Sequence, residues 1–175
     1  RKVITDHSTI GLVITTDGSI TDIPRSGYIE AEERVIKELK ELNKPFVMVL
    51  NTVNPFNPDT KKLRDALEEK YDVPVLLMNV MDMTEEDIHG ILEKILFEFP
   101  LREIKIDLPK WVQALDEDHW LVQHILHAVS EATADMCRVR DHVCIKDAFI
   151  DSEYVDPPVK DYIRLGEGAV GYHLN

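Results

Sequence analysis

Phe46-Val47-Met48-Val49-Leu50, followed at once by Asn51-Thr52-Val53-Asn54, decides the fold of this chain. A continuous apolar run with neither helical nor alternating period describes a strand covered on both faces, the habit of parallel sheets. Two runs of the same kind flank it, Ile10-Gly11-Leu12-Val13-Ile14 before and Val73-Pro74-Val75-Leu76-Leu77-Met78 after. Pro74 sits near the start of its run, where a missing N–H is tolerated.

Amphipathic segments fill the gaps. Tyr28, Val35, Ile36, Leu39 and Leu42 keep a helical period over 28–42, with Glu32 the one charge on that face and Ser26 as its expected N-cap. The acidic helix 28–42 is most simply a solvated face with Glu–Lys pairs. Asn57 caps the next helix, Pro58 takes its first position, and Leu63, Ala66 and Leu67 are its buried residues. Thr84 with Asp87 opens a third as a capping box, with the stripe Ile88, Ile91, Leu92, Ile95 and Leu96 and Pro100 beyond its end. Leu101 to Leu108 alternates, Ile104, Ile106 and Leu108 on one face, as a half-buried edge strand does. Residues 1–108 thus follow a β-α-β-α-β-α-β order, and right-handed crossovers make that an open, mostly parallel α/β sheet.

The pattern changes after Pro109, and 109–175 is expected to begin a second, α+β domain. Asp116 can cap a long helix with Glu117 and Asp118 in its first turn and the stripe Leu121, Ile125, Val129, Ala132, Met136 and Val139. Cys144 to Ile150 is β-like, and Tyr162 to Leu174, turning at Gly166-Glu167-Gly168, is a hairpin.

Composition narrows the function classes. The chain has 175 residues, 44% hydrophobic and 30% charged, which excludes disorder as a whole-chain description. Its 33 acids against 20 bases give a net charge of −13, which argues against a nucleic-acid partner. No apolar run approaches the roughly 20 residues of a membrane helix. Cys137 and Cys144 form no disulfide framework, which favours a reducing cytoplasm. The first residue is Arg1, and the chain is expected to be an internal fragment of a longer protein.

In an open parallel sheet, ligands bind at the carboxyl ends of the strands. Here those ends are Thr15-Thr16-Asp17-Gly18, Asn51-Thr52-Val53-Asn54 and Asn79-Val80. Polarity alone is what any loop leaving a buried strand shows. The second is sharper, because GTP-binding P-loop proteins carry Asn-Lys-x-Asp at such a place. This chain keeps the first Asn, has Thr52 for the Lys, and has Asn54 for the Asp that accepts two hydrogens from guanine. Gly166-Glu167-Gly168-Ala169-Val170-Gly171 spells a dinucleotide fingerprint, but a β-branched run follows where a helix must open. No G-x-x-x-x-G-K-[ST] phosphate loop occurs. His119, His124, His127, Cys137 and Cys144 match no common zinc spacing, and a helix cap accounts for Asp116-Glu117-Asp118 beside His119.

Four longer stretches permit a comparison. HSTIGLVITTDGSITDIPR from His7, YIEAEERVIKELKELNKPFVMVLN from Tyr28, EKYDVPVL from Glu69, and EFPLREIKIDLPKWV from Glu98 with His119-Trp120 resemble the stage IV sporulation protein A family, the spore-coat morphogenetic ATPases of endospore-forming bacteria. The resemblance is nearly continuous from Arg1 to about Trp120 and looser, in order, to Asn175.

What the resemblance implies is considerable. The fold of 1–108 would be the C-terminal part of a P-loop NTPase domain of the translation-factor-related, TRAFAC GTPase-like kind, followed by the start of a middle domain. The parent would hydrolyse ATP with Mg2+, by in-line attack of water on the γ-phosphate, to drive self-assembly of the spore-coat basement layer. It would work in the mother-cell cytoplasm at the outer forespore surface, touching the membrane only peripherally. Its partners would be further copies of itself, spore-coat proteins and a small amphipathic membrane-bound anchor peptide. The phosphate loop and magnesium ligands would lie upstream of Arg1, so this chain would hold no catalytic residue or metal ligand and be inactive alone. Base-side contacts fall to Asn51, Asn54 and Asn79. The alternatives are a GTPase of the same fold and a catalytically silent assembly module.

Overall fold

The computed structural model describes residues 6–175, and the resemblance at Arg1 to Thr5 lies outside them. The chain divides into two compact units, the boundary falling between Ile95 and Leu96.

The first unit is built from β1 (Gly11–Thr16), α1 (Ile29–Glu41), β2 (Phe46–Asn51), α2 (Pro58–Tyr71), β3 (Val75–Met78) and most of α3 (Glu85–Phe97). The strands are all parallel in the order β1-β2-β3, with Val13 opposite Met48 and Leu50 opposite Leu77. A sheet that grows in chain order by right-handed crossovers carries its connecting helices on one face. Accordingly Ile36 and Leu39 of α1 and Leu67 and Tyr71 of α2 share one core with Val13, Met48, Leu50 and Val75. β2 is buried from Phe46 to Leu50, as its composition predicts.

β1 departs from the expectation of cover on both faces. Leu12 is 46% and Ile14 56% exposed, while Val13 between them is buried. Among the described residues, α3 is the helix that covers the second face. Ile91 and Ile95 are buried, but Ile88 and Leu92 of the same stripe are exposed. An apolar groove of about 370 Å³ runs between Leu12, Ile14, Ile88 and Leu92.

Two of the predicted helix starts are present. Asn57 Oδ1 accepts from the Asp59 N–H at 2.9 Å, with Pro58 at the first position. Thr84 and Asp87 exchange bonds, the Thr84 N–H donating to Asp87 at 2.9 Å and the Asp87 N–H to Thr84 Oγ1 at 3.3 Å. Ser26 is not a cap: a 3-10 turn over Arg25–Gly27 leads into α1, and Tyr28 precedes it without a side-chain cap. On α2, Ala66 is exposed and Thr60 is buried instead.

The second unit holds β4 (Glu103–Asp107), α4 (Lys110–Gln113), α5 (Trp120–Thr133), α6 (Cys144–Asp147), β5 (Val159–Arg164) and β6 (Ala169–His173). The alternating strand exists, with Ile104 and Ile106 turned inward, but it is not an edge of the first sheet. It pairs in parallel with β6, in the order β4-β6-β5, so it belongs with the second unit. β5 and β6 form the expected hairpin, and the glycine run is its turn, Gly168 at φ +67°.

Asp116 does not start the long helix; His119 does, its Nδ1 accepting from the Leu121 N–H at 3.2 Å. The helix ends at Thr133, so Met136 and Val139 lie beyond it. Cys144 to Ile150 is not β but a short helix and turn after a 3-10 segment over Val139–Val143. Ile145 in this helix and Phe149 in the turn after it are both fully buried.

Candidate functional site

All three strands of the first unit end on the same side, and the loops that leave them are tied together by side chains. Asp17 follows β1 in an Asx turn: its Oδ1 accepts from the Ser19 N–H at 2.9 Å and the Ser19 hydroxyl at 2.5 Å. Gly18 turns the chain at φ +91°, and a Cβ there would stand 2.9 Å from the Arg25 nitrogen, so only glycine fits.

Asp17 Oδ2 accepts the Thr52 hydroxyl at 2.6 Å. Each of the two hydroxyls held by Asp17 then receives a backbone N–H of the second loop. Ser19 Oγ accepts from Val53 at 3.1 Å, and Thr52 Oγ1 accepts from Asn54 at 3.2 Å. One carboxylate therefore fixes the path of residues 52–54. Burial pushes the Asp17 carboxyl up, but the bonds from Ser19 and Thr52 outweigh it, and its pKa lies below the usual 3.8. Asp17 is an anion under ordinary conditions.

Asn51 ties the second loop to the third, its Oδ1 accepting from the Val80 N–H at 3.0 Å. Asn79 caps a 3-10 turn over Val80–Asp82, accepting from the Met81 N–H at 3.2 Å and donating to the Asp82 carboxylate. Asn54 is exposed, and with Asn79 it lines an open groove of about 870 Å³ beside β3 that also includes Phe56, Lys61 and Met78. The expected residues thus divide: Asn54 and Asn79 share a groove, whereas Asn51 braces one loop against another.

Behind these loops lies a second cluster. Glu32, the charge on the apolar stripe of α1, has a side chain only 2% exposed. Its carboxylate is held by Arg25 at 2.7 Å through both terminal guanidinium nitrogens, by Thr15 Oγ1 at 2.5 Å and by the Tyr71 hydroxyl at 3.0 Å. Burial would raise its pKa, but the Arg25 and Thr15 bonds, the Arg25 charge and Tyr71 bring it below the usual 4.5. It is a structural knot joining β1, α1 and α2, not part of a solvated face.

Sequence reasoning places Asp17 at a strand end and Glu32 on the apolar face of α1 without their roles, and misses Ser19. The signal for Asp17 was Asp-Gly-Ser directly after a buried strand, an Asx-turn pattern; the signal for Glu32 was its place in the apolar stripe. In the second unit His124, His127 and Cys144 line one cavity without Cys137. Among the described residues no group of three or more His, Cys, Asp or Glu could hold a metal ion, and no helix is long and apolar enough to cross a membrane.

The family model for the ATPase domain of stage IV sporulation protein A matches residues 1–100, and that for its middle domain matches residues 101–175. The chain belongs to the stage IV sporulation protein A family. It is 49% identical over 174 residues to stage IV sporulation protein A of Clostridioides difficile strain 630. It is 50% identical to those of Bacillus anthracis and Bacillus subtilis strain 168. Each alignment covers 99% of this chain but 35% of the relative, so the chain spans about a third of these sporulation proteins. No solved structure matches it. The sporulation family membership expected from the quoted stretches is thereby established, and the loop network described above lies wholly in the part matched as ATPase domain.

Proposed function

We propose that residues 6–95 are the base-side portion of a P-loop NTPase domain whose parent hydrolyses ATP to drive self-assembly of the spore-coat basement layer. The observation that carries this reading is the Asp17–Thr52–Asn54 network, which presents Asn54 in a fixed loop directly after the buried strand β2. The groove along β1 supports it, because Leu12, Ile14, Ile88 and Leu92 need cover that the rest of an ATPase domain would supply.

In this reading Asn54 and Asn79 approach the base, Asn51 braces their loops, and ATP supplies the hydrolysable phosphoanhydride. Mg2+ would be held together with the phosphates by the parent's ATPase domain, an expectation that rests on family membership. Self-assembly, coat-protein partners, the amphipathic membrane anchor and a place at the forespore surface in the mother-cell cytoplasm belong to the same proposal. They rest on family membership.

Asn54 speaks against guanine. A carboxylate there would accept from both guanine N1–H and the 2-amino group, whereas the amide offers one acceptor and turns a donor toward a donor. An unpaired buried donor costs roughly 1–3 kcal/mol, about one to two powers of ten in affinity. Asn54→Asp in the full-length protein is therefore expected to shift competitive binding toward GTP, partially, since Thr52 supplies no Lys stem. An unchanged ATP:GTP ratio removes Asn54 from the base site. No binding of either nucleotide by the unmodified protein favours the silent assembly module.

A further inference from the structure

Trp120 is 57% and Tyr154 61% exposed, although aromatic side chains of this size are ordinarily well buried. They are not scattered singly. Their ring centroids are 4.9 Å apart in an edge-to-face arrangement, and the His124 ring stands 6.2 Å from Tyr154, also edge-on. The scaffold beneath them is fixed. Val155 is buried with Leu121, Ile125 and Phe149 in the core of the second unit. Ser152 Oγ lies 3.3 Å from His124 Nε2 and accepts the Tyr154 and Val155 N–H groups at 3.4 and 3.3 Å. The segment therefore puts Val155 in and Tyr154 out.

The two segments that carry these rings are acidic without relief. Glu117 and Asp118 precede Trp120, and Asp151 and Glu153 flank Ser152, all exposed. Neither Leu115 to Cys137 nor Asp147 to Val159 contains a Lys or Arg. Exposed aromatic rings beside carboxylates attract cations even with the His119 ring 5.7 Å from Trp120, and a guanidinium suits both because it stacks on a ring while pairing with a carboxylate. Anionic partners, whether nucleic acid or an acidic lipid surface, are repelled.

We infer that the Trp120–Tyr154 face is a docking surface for an arginine-bearing segment of another protein. The inference is independent of the nucleotide reading, since it concerns only the second unit.

The test is fluorescence anisotropy of a labelled synthetic peptide of alternating arginine and glycine, titrated with the full-length protein, beside a glutamate–glycine counterpart. The arginine peptide is expected to bind and the glutamate peptide not. Trp120→Ala and Tyr154→Ala should each weaken binding by about 3-fold or more, and Tyr154→Phe, which keeps the ring, should restore it. Asp118→Asn with Glu153→Gln should weaken it as well. Glu30→Gln with Glu41→Gln removes the same net charge from the first unit, which carries neither ring, and should leave binding within about 2-fold. Two results would overturn the proposal. One is binding insensitive to both ring truncations, or weakened equally by the α1 pair, which is attraction by net charge alone. The other is a dimer, dissociated by Trp120→Ala, that excludes the peptide, which makes a second copy the occupant.

Discussion

Asp17 and Thr52, 35 residues apart in sequence, meet carboxylate to hydroxyl at 2.6 Å and set the path of the loop after β2. Thr52 is 1% exposed, so the residue that the proposed reading matches to a GTPase's lysine points into this bond. Asp17→Ala should free the Val53 and Asn54 N–H groups from their fixed acceptors. In the full-length protein we expect ATP affinity to fall by about 10-fold, with a stability loss of about 1–2 kcal/mol. Thr52→Val should do the same more mildly. Titration with ATP and urea unfolding of both variants check this; full affinity in Asp17→Ala would mean that the loop needs no tether.

The Glu32 cluster predicts acid sensitivity in the first unit. The unfolded carboxyl titrates near 4.5 and the folded one lower, so its contribution is complete above 4.5 and is lost as pH falls toward the native value. Urea midpoints should therefore drop on acidification below that point, and Glu32→Gln should flatten the drop. Arg25→Met leaves the carboxylate buried without its main charge partner and should cost about 3 kcal/mol at neutral pH.

In the second unit, Tyr172 is fully buried and its hydroxyl donates to the His142 carbonyl at 2.8 Å, which leaves it to accept from His142 Nδ1 at 2.6 Å. Burial pushes the tyrosine up to about 12, with Cys144 adding to it. Burial, with Lys160 and Lys146, holds His142 below its usual 6.5. The unfolded histidine thus takes up a proton near 6.5 that the folded one resists, and stability falls as pH drops below that value. Tyr172→Phe should cost about 1–3 kcal/mol, read as a shift in thermal midpoint.

Gly166 and Gly168 occupy the same hairpin turn but differ in tolerance. At Gly168, φ is +67° and a Cβ would stand 2.4 Å from the Pro100 carbonyl oxygen, whereas at Gly166 nothing lies within 4 Å. Gly168→Ala should destabilise by about 2–3 kcal/mol and Gly166→Ala by less than about 1 kcal/mol. Equal melting of the two variants would contradict the turn geometry.

The apolar groove on β1 should make the 175-residue chain associate when produced alone. Sedimentation is expected to show oligomers or aggregate, and Leu12→Thr with Leu92→Lys should move the population toward monomer. A sharply melting monomer of the unmodified chain would show that the open face tolerates water.

Signals read within one turn or one strand were legible. Asn57 and the Thr84–Asp87 pair cap helices because capping is a bond between near neighbours. β2 is buried from Phe46 to Leu50, as its apolar run predicts, while the equally apolar run of β1 is not, because β2 is the central strand and β1 an edge. The hairpin at Gly166–Gly168 was likewise visible, since its turn and both strands are contiguous. Cys144–Ile150 forms a short helix and turn rather than a strand because a segment with Ile145 and Phe149 inward satisfies both periods, and only packing selects between them.

The sequence by itself determined the alternation of β4, and with it which side chains face inward, but alternation names a face and not a partner. Tertiary structure decided that β4 pairs with β6, since a strand's edge bonds to whichever strand the packed helices bring beside it. The same holds at the candidate site. The chain itself placed Asn51, Asn54 and Asn79 at strand ends, but that Asp17 would hold Thr52 depended on bringing two crossover loops together, because a hydrogen bond reaches about 3 Å in space however distant its partners lie in sequence.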